Sequence, residues 1–487
     1  MARSGDARKV GKPGAAQKAA VTVSVAAASV LALAFLALYN GDLVVRVLAA
    51  LLVLVVSGRM IARANGVKDS YGAYMLGGRR GIRAIESLSK WRPRAWLAFA
   101  DWGLAFSFGA ASLLMFRNRL SRKAILAGII SIVLILVFVF PYLSLVLDFI
   151  TIPQITSHLS AASASAGPSV VFYLLVLISV LGGFSAATIF LIFYSGVSIL
   201  YETLLFVFGL LTQHPNPSLL TSQVPGVAPL IPGLTIPLFA GLATLIILLV
   251  VHEFSHGVLA KIARIRIKSI GAILFGIVPL GAFVEPDEKQ VKRLGKQAQD
   301  RISVAGVSAN MLVCLFFFVL SLATIYFVLP GISTDGVLVT QTVKGYPAYG
   351  VIPNGTVITG WNNVSIANSY DLARVEAAYV AGAHVVLRTG SGAIGIVPES
   401  TGELGILTAP AVQTAGYQVA DFFFAVFALS FGLNFFVAIF NLLPLPLFDG
   451  WRIYQNSIRN KRALNALAAL VIVSILLNIL PWFWSAA

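Results

Sequence analysis

The sequence predicts a polytopic α-helical membrane protein with a small β-rich domain inserted between its later helices. Three observations carry that expectation. The chain has 487 residues, 58% hydrophobic and only 11% charged, whereas soluble domains carry about 25% charged residues. Apolar runs of about 20 residues, enough to cross a hydrocarbon core of ~30 Å, recur along it. Between residues 332 and 410 these runs give way to short β-branched segments separated by Gly, Asn and Pro, the pattern of strands and turns. The formal charge of +16 points to anionic lipid headgroups rather than nucleic acid, because Lys and Arg sit in short loops beside apolar runs, where they set topology. Cys314, the single cysteine, lies inside such a run and reads as core filler, with no intrachain disulfide available.

Residues 1–20 form a basic, Gly/Ala-rich tail expected to be disordered and cytoplasmic, ahead of an uncleaved first span rather than a signal peptide. Residues 21–231 form an N-terminal transmembrane region with spans near 21–39, 43–57, 124–150, 170–194 and 197–212. The stretch 96–115 is expected as a re-entrant or interfacial piece, because Asp101 interrupts it and basic segments flank both ends; a true span is the alternative. Nothing in this region specifies chemistry, although Asp101, Asp148 and Glu202 stand in or beside apolar runs. Segments 151–169 and 213–231 read as external connectors. Residues 232–330 hold spans near 232–256 and 302–329, and residues 413–487 hold spans near 418–445 and 464–484. Basic segments at 261–268, 289–301 and 452–462 read as cytoplasmic, and the slightly acidic stretch 329–417 as external.

That external stretch contains the β-rich domain, 331–412. Its runs "GVLVTQTV", "GTVITGWNN", "HVVLRTG" and "AIGIVP" alternate with turn signals, and one helix is expected around Ser369–Ala378.

The chemistry begins at "VVHEFSHG", residues 250–257, at the end of an apolar run. Ionisable groups at membrane depth are costly and are usually functional. On a helix, His252 and His256 are one turn apart on one face, a spacing at which two imidazoles bind one Zn²⁺. Glu253, beside the first ligand, is placed to act as general base on water rather than to ligate. The pattern arises by chance on the order of once per hundred proteins of this length, so polar residues at a helix end near the headgroups are the plainer alternative.

A catalytic zinc needs a third protein ligand. His158, His214 and His384 fall in predicted external loops. Of the carboxylates near the cytoplasmic end (Glu285, Asp287, Glu288, Asp300 and Asp449), Asp449 stands out in "FNLLPLPLFDGWR", residues 440–452. Two prolines there break an apolar run, and broken backbone at membrane depth is tolerated only around a buried or watery cavity. A helix-capping Asp449 is the alternative; with His252 and His256 upstream, the ligand reading is favoured.

HEFSH in one span and "NLLPLPLFDG" in a later one resemble the site-2 protease family of intramembrane zinc metalloproteases. The matching residues are His252, Glu253 and His256, then Asn441, Pro444, Pro446, Asp449 and Gly450. "SVAGVSANMLV" between them resembles the family's A-G-P-x-x-N segment through Gly306 and Asn310, with Val307 where proline is usual, and "GIVPLGAFVEPDE" (276–288) resembles the segment after the HExxH helix. The soluble insertion resembles a PDZ domain, with Thr356 where aspartate is common and Asn362–Asn363 replacing Asn-Gly; a spacer limiting access by large ectodomains is its plainer role.

The resemblance implies one zinc per chain on His252, His256 and Asp449, with Glu253 catalytic. Asn441, preferred over Asn310, would contact the substrate backbone or stabilise the oxyanion, although either can simply brace structure. The implied substrates are membrane-anchored proteins, with an upstream site-1-type protease as a further partner. An extended substrate could pair with an exposed strand in Gly271–Val284, a run that otherwise reads as a membrane-dipping hairpin. The active site is expected near the cytoplasmic face. The rival class is a non-hydrolytic zinc-binding membrane protein, a transporter or chaperone-like scaffold; Glu253 and the lack of an internal repeat speak against it.

Overall fold

The computed structural model describes residues 15–39, 43–79, 81–143, 170–214, 216–221, 223, 230–233, 235–328, 332, 336–411 and 415–485. The N-terminal tail to residue 14, Asp148, His158 and the connector 151–169 lie outside the described residues.

The helices that order the chain are α1 (Ala15–Leu38), α2 (Leu43–Asn65), α3 (Ile82–Lys90) and α4 (Pro93–Phe108). They are followed by α5 (Arg122–Leu134), α6 (Val170–Leu211), α7 (Leu238–Ile262) and α8 (Lys296–Ala323). The last four are α9 (Ser369–Ala377), α10 (Ala415–Phe440), α11 (Asp449–Ser457) and α12 (Lys461–Ile479). Among the described residues, nine helical segments are long and apolar enough to cross a membrane. The chain packs as two compact units, one of residues up to 101 with 249–306, the other of 102–248 with 307 onward.

In the first unit, β1 (Asp69–Ser70), β2 (Ala73–Gly78), β3 (Ile267–Phe275) and β4 (Val278–Pro286) form an antiparallel sheet in that order. The expected hairpin at 271–284 is therefore two strands of a larger sheet, to which the N-terminal region contributes β1 and β2. Helix α2 lies against this sheet so closely that a Cβ on Gly58 would overlap the carbonyl of Gly72. The Tyr74 hydroxyl donates to the Gly276 carbonyl at 2.8 Å. On α7, Gly257 makes room for Ile85 of α3, whose Cδ1 would sit 2.7 Å from a Cβ there.

In the second unit, two backbone breaks pack on one another. Gly183 interrupts α6 with φ 69°, and Gly109, just past α4, has φ 53°. A Cβ on Gly109 would lie 2.5 Å from the Val180 carbonyl oxygen, and one on Gly183 would overlap the Ser107 carbonyl. Left-handed backbone without a side chain is what glycine supplies. This corrects one expected boundary. The helical path is unbroken from 184 to 211, so the division placed between 194 and 197 falls at Gly183 instead. The stretch 93–115 is helical apart from its break at Gly109, and long and apolar enough to cross. Asn478 of α12 donates to the Ile192 carbonyl at 2.9 Å and ties α12 to α6.

The inserted domain follows the predicted runs closely. Strands β5 (Val337–Thr342), β6 (Val357–Trp361), β7 (Val364–Ser365), β8 (Val385–Thr389), β9 (Gly392–Ile396) and β10 (Ile406–Pro410) surround α9. The sheet order is β10-β5-β6-β8-β9, with β7 on β6. Asn368 caps α9 by accepting from the Asp371 N–H at 2.9 Å. Val337, Val339, Ile358, Leu372, Val385, Leu387 and Leu404 form its buried core, each contributing about 1.5–3 kcal/mol through burial. Two strands were not predicted: the two-residue β7, and β10, which pairs along the length of β5 from Ile406↔Thr342 to Pro410↔Val337.

Glu376, on the last turn of α9, is held up at about 7 by burial, with the Glu403 charge adding and the Leu404 N–H opposing. Its ordinary value is 4.5, so the unfolded chain ionises it first. Stability is full below that value and is lost as pH rises towards 7, because the folded state then holds a proton that the unfolded state has released. Glu376→Gln should change stability little near pH 5 and raise it at pH 8 by on the order of 1–3 kcal/mol, read by thermal unfolding of the full chain at both pH values.

Candidate metal centre

Helix α7 places His252 and His256 on one face, as the i, i+4 spacing requires. Their Nε2 atoms converge to 3.2 Å. Two nitrogens that each bind one tetrahedral Zn²⁺ at ~2.0–2.1 Å stand about 3.3 Å apart, so the pair fits a single zinc ion. His256 Nδ1–H donates to the Ile302 carbonyl of α8 at 2.7 Å, leaving the Nε2 lone pair for a metal. Such a bond is the usual second contact of a ligating histidine. His252 is largely buried, at 9% exposure.

The space in front of the two rings is kept by a missing side chain. A Cβ on Gly306 of α8 would lie 2.5 Å from Nε2 of both His252 and His256. Gly306 and Ile302 are themselves one turn apart, so one face of α8 supplies both the carbonyl and the gap. Arg301, next to Ile302, holds Asp101 of α4 through two bonds, Nε–Oδ1 at 2.7 Å and a terminal nitrogen to Oδ2 at 2.6 Å. Both side chains are about four-fifths buried, at 21% and 17% exposure.

Glu253 is bonded to the sheet. Its Oε2 accepts the Val284 N–H of β4 at 2.9 Å, and β4 is the last strand of its sheet. An edge N–H is thus satisfied by the carboxylate beside the first histidine. Among the carboxylates weighed as third ligand, Glu285 is engaged with Ser269 at 2.8 Å and Lys268 at 3.4 Å. Asp287 caps the turn at 288–291 by accepting from the Lys289 and Gln290 N–H groups. Asp300 is fully buried.

Asp449, in the second unit, is the first residue of α11; Phe448 holds the cap position and makes no side-chain cap. Asp449 thus stands in the first turn of the helix and not at its cap position. The loop 441–448 before it is closed by the Gly450 N–H donating to the Asn441 carbonyl at 2.7 Å. A Cβ on Gly450 would meet the Leu442 carbonyl oxygen at 2.5 Å, which explains glycine after the aspartate. The Ser185 hydroxyl of α6 donates to the Leu442 carbonyl at 3.1 Å and lies 2.7 Å from the Tyr454 hydroxyl. Asn310 is fully buried, one turn beyond Gly306 on α8. Asn441 braces the loop through its backbone.

Among the described residues, one group of His, Cys, Asp or Glu side chains offers the donors to hold a metal ion: His252, His256 and Asp449. Residues 240–481, about half of the chain, match the sequence profile of peptidase family M50, the site-2 protease family. The chain belongs to peptidase family M50. Members of this family are zinc metalloproteases, which agrees with the donor set. The nine apolar helices and the family together make the chain an integral membrane protein. An uncharacterized protein of Methanocaldococcus jannaschii is 30% identical over 227 residues, 46% of this chain and 58% of that protein. The alignment thus spans little more than half of that relative's length.

Sequence reasoning found the family's motif residues but not what orients them. The Ile302 carbonyl and the Val284 N–H are backbone groups without a residue signature. Asp101 and Arg301 were both visible, as a carboxylate in an apolar run and a cation at a span end, yet 200 positions separate them.

Two variants probe this geometry. Gly306→Ala should lower bound zinc at least tenfold after dialysis, by elemental analysis, with helical content unchanged, because the methyl occupies the space before both imidazoles. Asp101→Ala, which strands the Arg301 guanidinium, should cost about 3 kcal/mol of stability, and the exchange Asp101→Arg with Arg301→Asp should recover part of that loss in thermal unfolding.

Proposed function

We propose that this M50 member is an intramembrane zinc endopeptidase, hydrolysing peptide bonds in or near the transmembrane segments of membrane-anchored proteins. One observation carries the reading: a carboxylate without a ligand's position, Glu253, adjoins a histidine pair spaced for zinc and is bonded to an edge strand. Zinc binding alone has no use for that carboxylate. We assign His252, His256 and Asp449 as the ligands of one zinc per chain.

Zinc, when bound, supplies a Lewis acid that polarises a carbonyl and acidifies water towards a pKa of ~7. Glu253 takes the proton from the attacking water and returns it to the leaving amine. The Val284 N–H fixes the carboxylate for that transfer. Asn441, or in second place Asn310, donates to the substrate backbone or to the developing oxyanion, a role worth about 3 kcal/mol for a single donor elsewhere.

A helix with all its backbone bonds made offers no carbonyl to attack, so the substrate must unwind. Strand β4 has an open edge beside Glu253, and an extended segment pairing there would pass the general base. This supports the edge-strand reading over a simple membrane-dipping hairpin. The inserted domain we read as PDZ-like and extracytoplasmic. Its β5 strand is interior to the sheet, with β10 on its flank, which favours a spacer that limits access over a peptide-capturing groove. The basic segments at 261–268 and 289–301 favour a site near the cytoplasmic face. An upstream site-1-type protease that trims ectodomains first is consistent with such a limit.

The test uses the purified full chain in detergent with zinc and a labelled single-span substrate whose helix contains Gly and Pro. Wild type should cleave within the span, and Glu253→Gln should retain zinc while losing about 10²–10⁴-fold in rate. A chelator should abolish cleavage reversibly. Intact substrate with one zinc bound per chain would replace this reading with a non-hydrolytic zinc protein.

A further inference from the structure

At one corner of the first unit, α3, α4 and α7 border an open cavity of about 620 Å³. Its charged lining is Lys90, Lys261 and Arg264 against a single carboxylate, Glu86; Ser89 contributes a hydroxyl. Lys261 is bonded to Glu86 at 2.6 Å, which holds that carboxyl below its ordinary range. The pair cancels, and Lys90 and Arg264 remain as a net positive charge facing the cavity.

The depth of this cavity is given by the helices that form it. Two segments apolar enough to cross a membrane meet there at their ends, 238–262 finishing at Ile262 and 93–115 starting at Pro93. Ends of spans lie at headgroup level. Beside Pro93, Trp91 is exposed at 63%, with the Arg92 guanidinium 5.9 Å from the centre of its ring. An aromatic ring with a basic neighbour at a span end is the usual anchor of that layer.

Arg264 occupies a costly position. It follows α7 with φ 62°, and its N–H closes the helix end on the Lys261 carbonyl at 2.9 Å. Glycine is the residue that takes this left-handed position without strain. A long cation stands there against backbone preference, and its side chain lines the cavity.

We propose that Lys90, Lys261 and Arg264 form a site for the phosphate headgroup of an anionic membrane lipid, held at the end of the helix that carries His252, Glu253 and His256. Guanidinium and ammonium groups are phosphate partners, the Ser89 hydroxyl adds a donor, and the open side admits a headgroup whose acyl chains remain in the bilayer. The site is independent of whether the chain hydrolyses peptides.

The test measures lipid retention by native mass spectrometry on the full chain in a neutral detergent, titrated with phosphatidylglycerol or phosphatidylcholine. Phosphatidylglycerol should be retained at one per chain and phosphatidylcholine should not. Lys90→Gln with Arg264→Gly should weaken retention about tenfold; the glycine relieves backbone strain, so this variant keeps the fold. Arg459→Gln with Lys461→Gln removes the same charge at another helix end and should stay within about twofold of wild type. Equal loss in both double variants, or equal retention of the two lipids, would overturn the site in favour of diffuse attraction. Displacement of the lipid by equimolar inorganic phosphate would overturn the lipid assignment in favour of a soluble anion.

Discussion

The close approach of α8 to the imidazoles of α7 is the constraint on which the rest of the candidate centre depends. Two helices normally pack 8–10 Å apart, at a spacing set by the side chains between them. At Gly306 there is no side chain, and the intervening volume belongs to the two rings. The same helix face, one turn earlier, offers the Ile302 carbonyl to His256. A histidine ligates well only when its second nitrogen is held, and here a main-chain oxygen holds it. A backbone acceptor cannot be removed by substitution, so the orientation of His256 is as durable as the register of α8 itself. That register is set in turn by the next residue, Arg301, whose fork is closed on Asp101 in the two-point geometry that fixes direction as well as distance.

The edge of the four-stranded sheet poses a different problem. Outward N–H groups of a last strand are expensive to leave bare in apolar surroundings. At Val284 the chain meets that requirement with Glu253, so the proposed general base and an edge donor needing a partner satisfy one another. The bond also engages one oxygen of the Glu253 carboxylate. In the proposed function, a carboxylate next to a candidate ligand would otherwise compete for the metal, and its bond to the strand leaves it for the proton.

Much of this was legible in the sequence, for reasons that can be assigned to particular residues. The inserted domain was readable strand by strand because its core positions alternate with period 2, as in Val337, Val339 and Val385, Leu387, and its turns carry Gly and Asn. Strand β10 escaped because "ILTAP" is short and its stabilisation comes from pairing with β5, a partner more than sixty residues earlier. Strands β1 and β2 escaped likewise: "AYMLGG" has little strand character, and its ladder lies on β3, far along the chain. The break in α6 was misplaced because hydropathy does not distinguish Gly183 from its neighbours. What selects it is the close approach to Ser107, and a one-dimensional pattern contains no such contact. The candidate metal donors were the easiest to read, since two histidines at i, i+4 encode their own geometry, whereas Asp449 was readable only through the prolines that unwind the chain before it.

The N-terminal region, which the sequence left without a task, supplies structural support on both sides of the family match. Asp101 precedes the matched segment and closes on Arg301, the neighbour of the carbonyl that orients His256. Ser185 also precedes it, and with a single hydroxyl serves both the Leu442 carbonyl and the Tyr454 side chain. The first bond anchors the loop ahead of Asp449, and the second anchors the helix that Asp449 begins. A loop unwound by two prolines has orphaned backbone groups that must find partners inside the protein, and Leu442 finds one on α6. Strands β1 and β2 likewise extend the sheet whose far edge meets Glu253. In each case a residue outside 240–481 satisfies a group inside it, within the same compact unit. The N-terminal helices are therefore part of what fixes the candidate centre, and the segment that matches the family is not by itself a self-sufficient scaffold for these side chains.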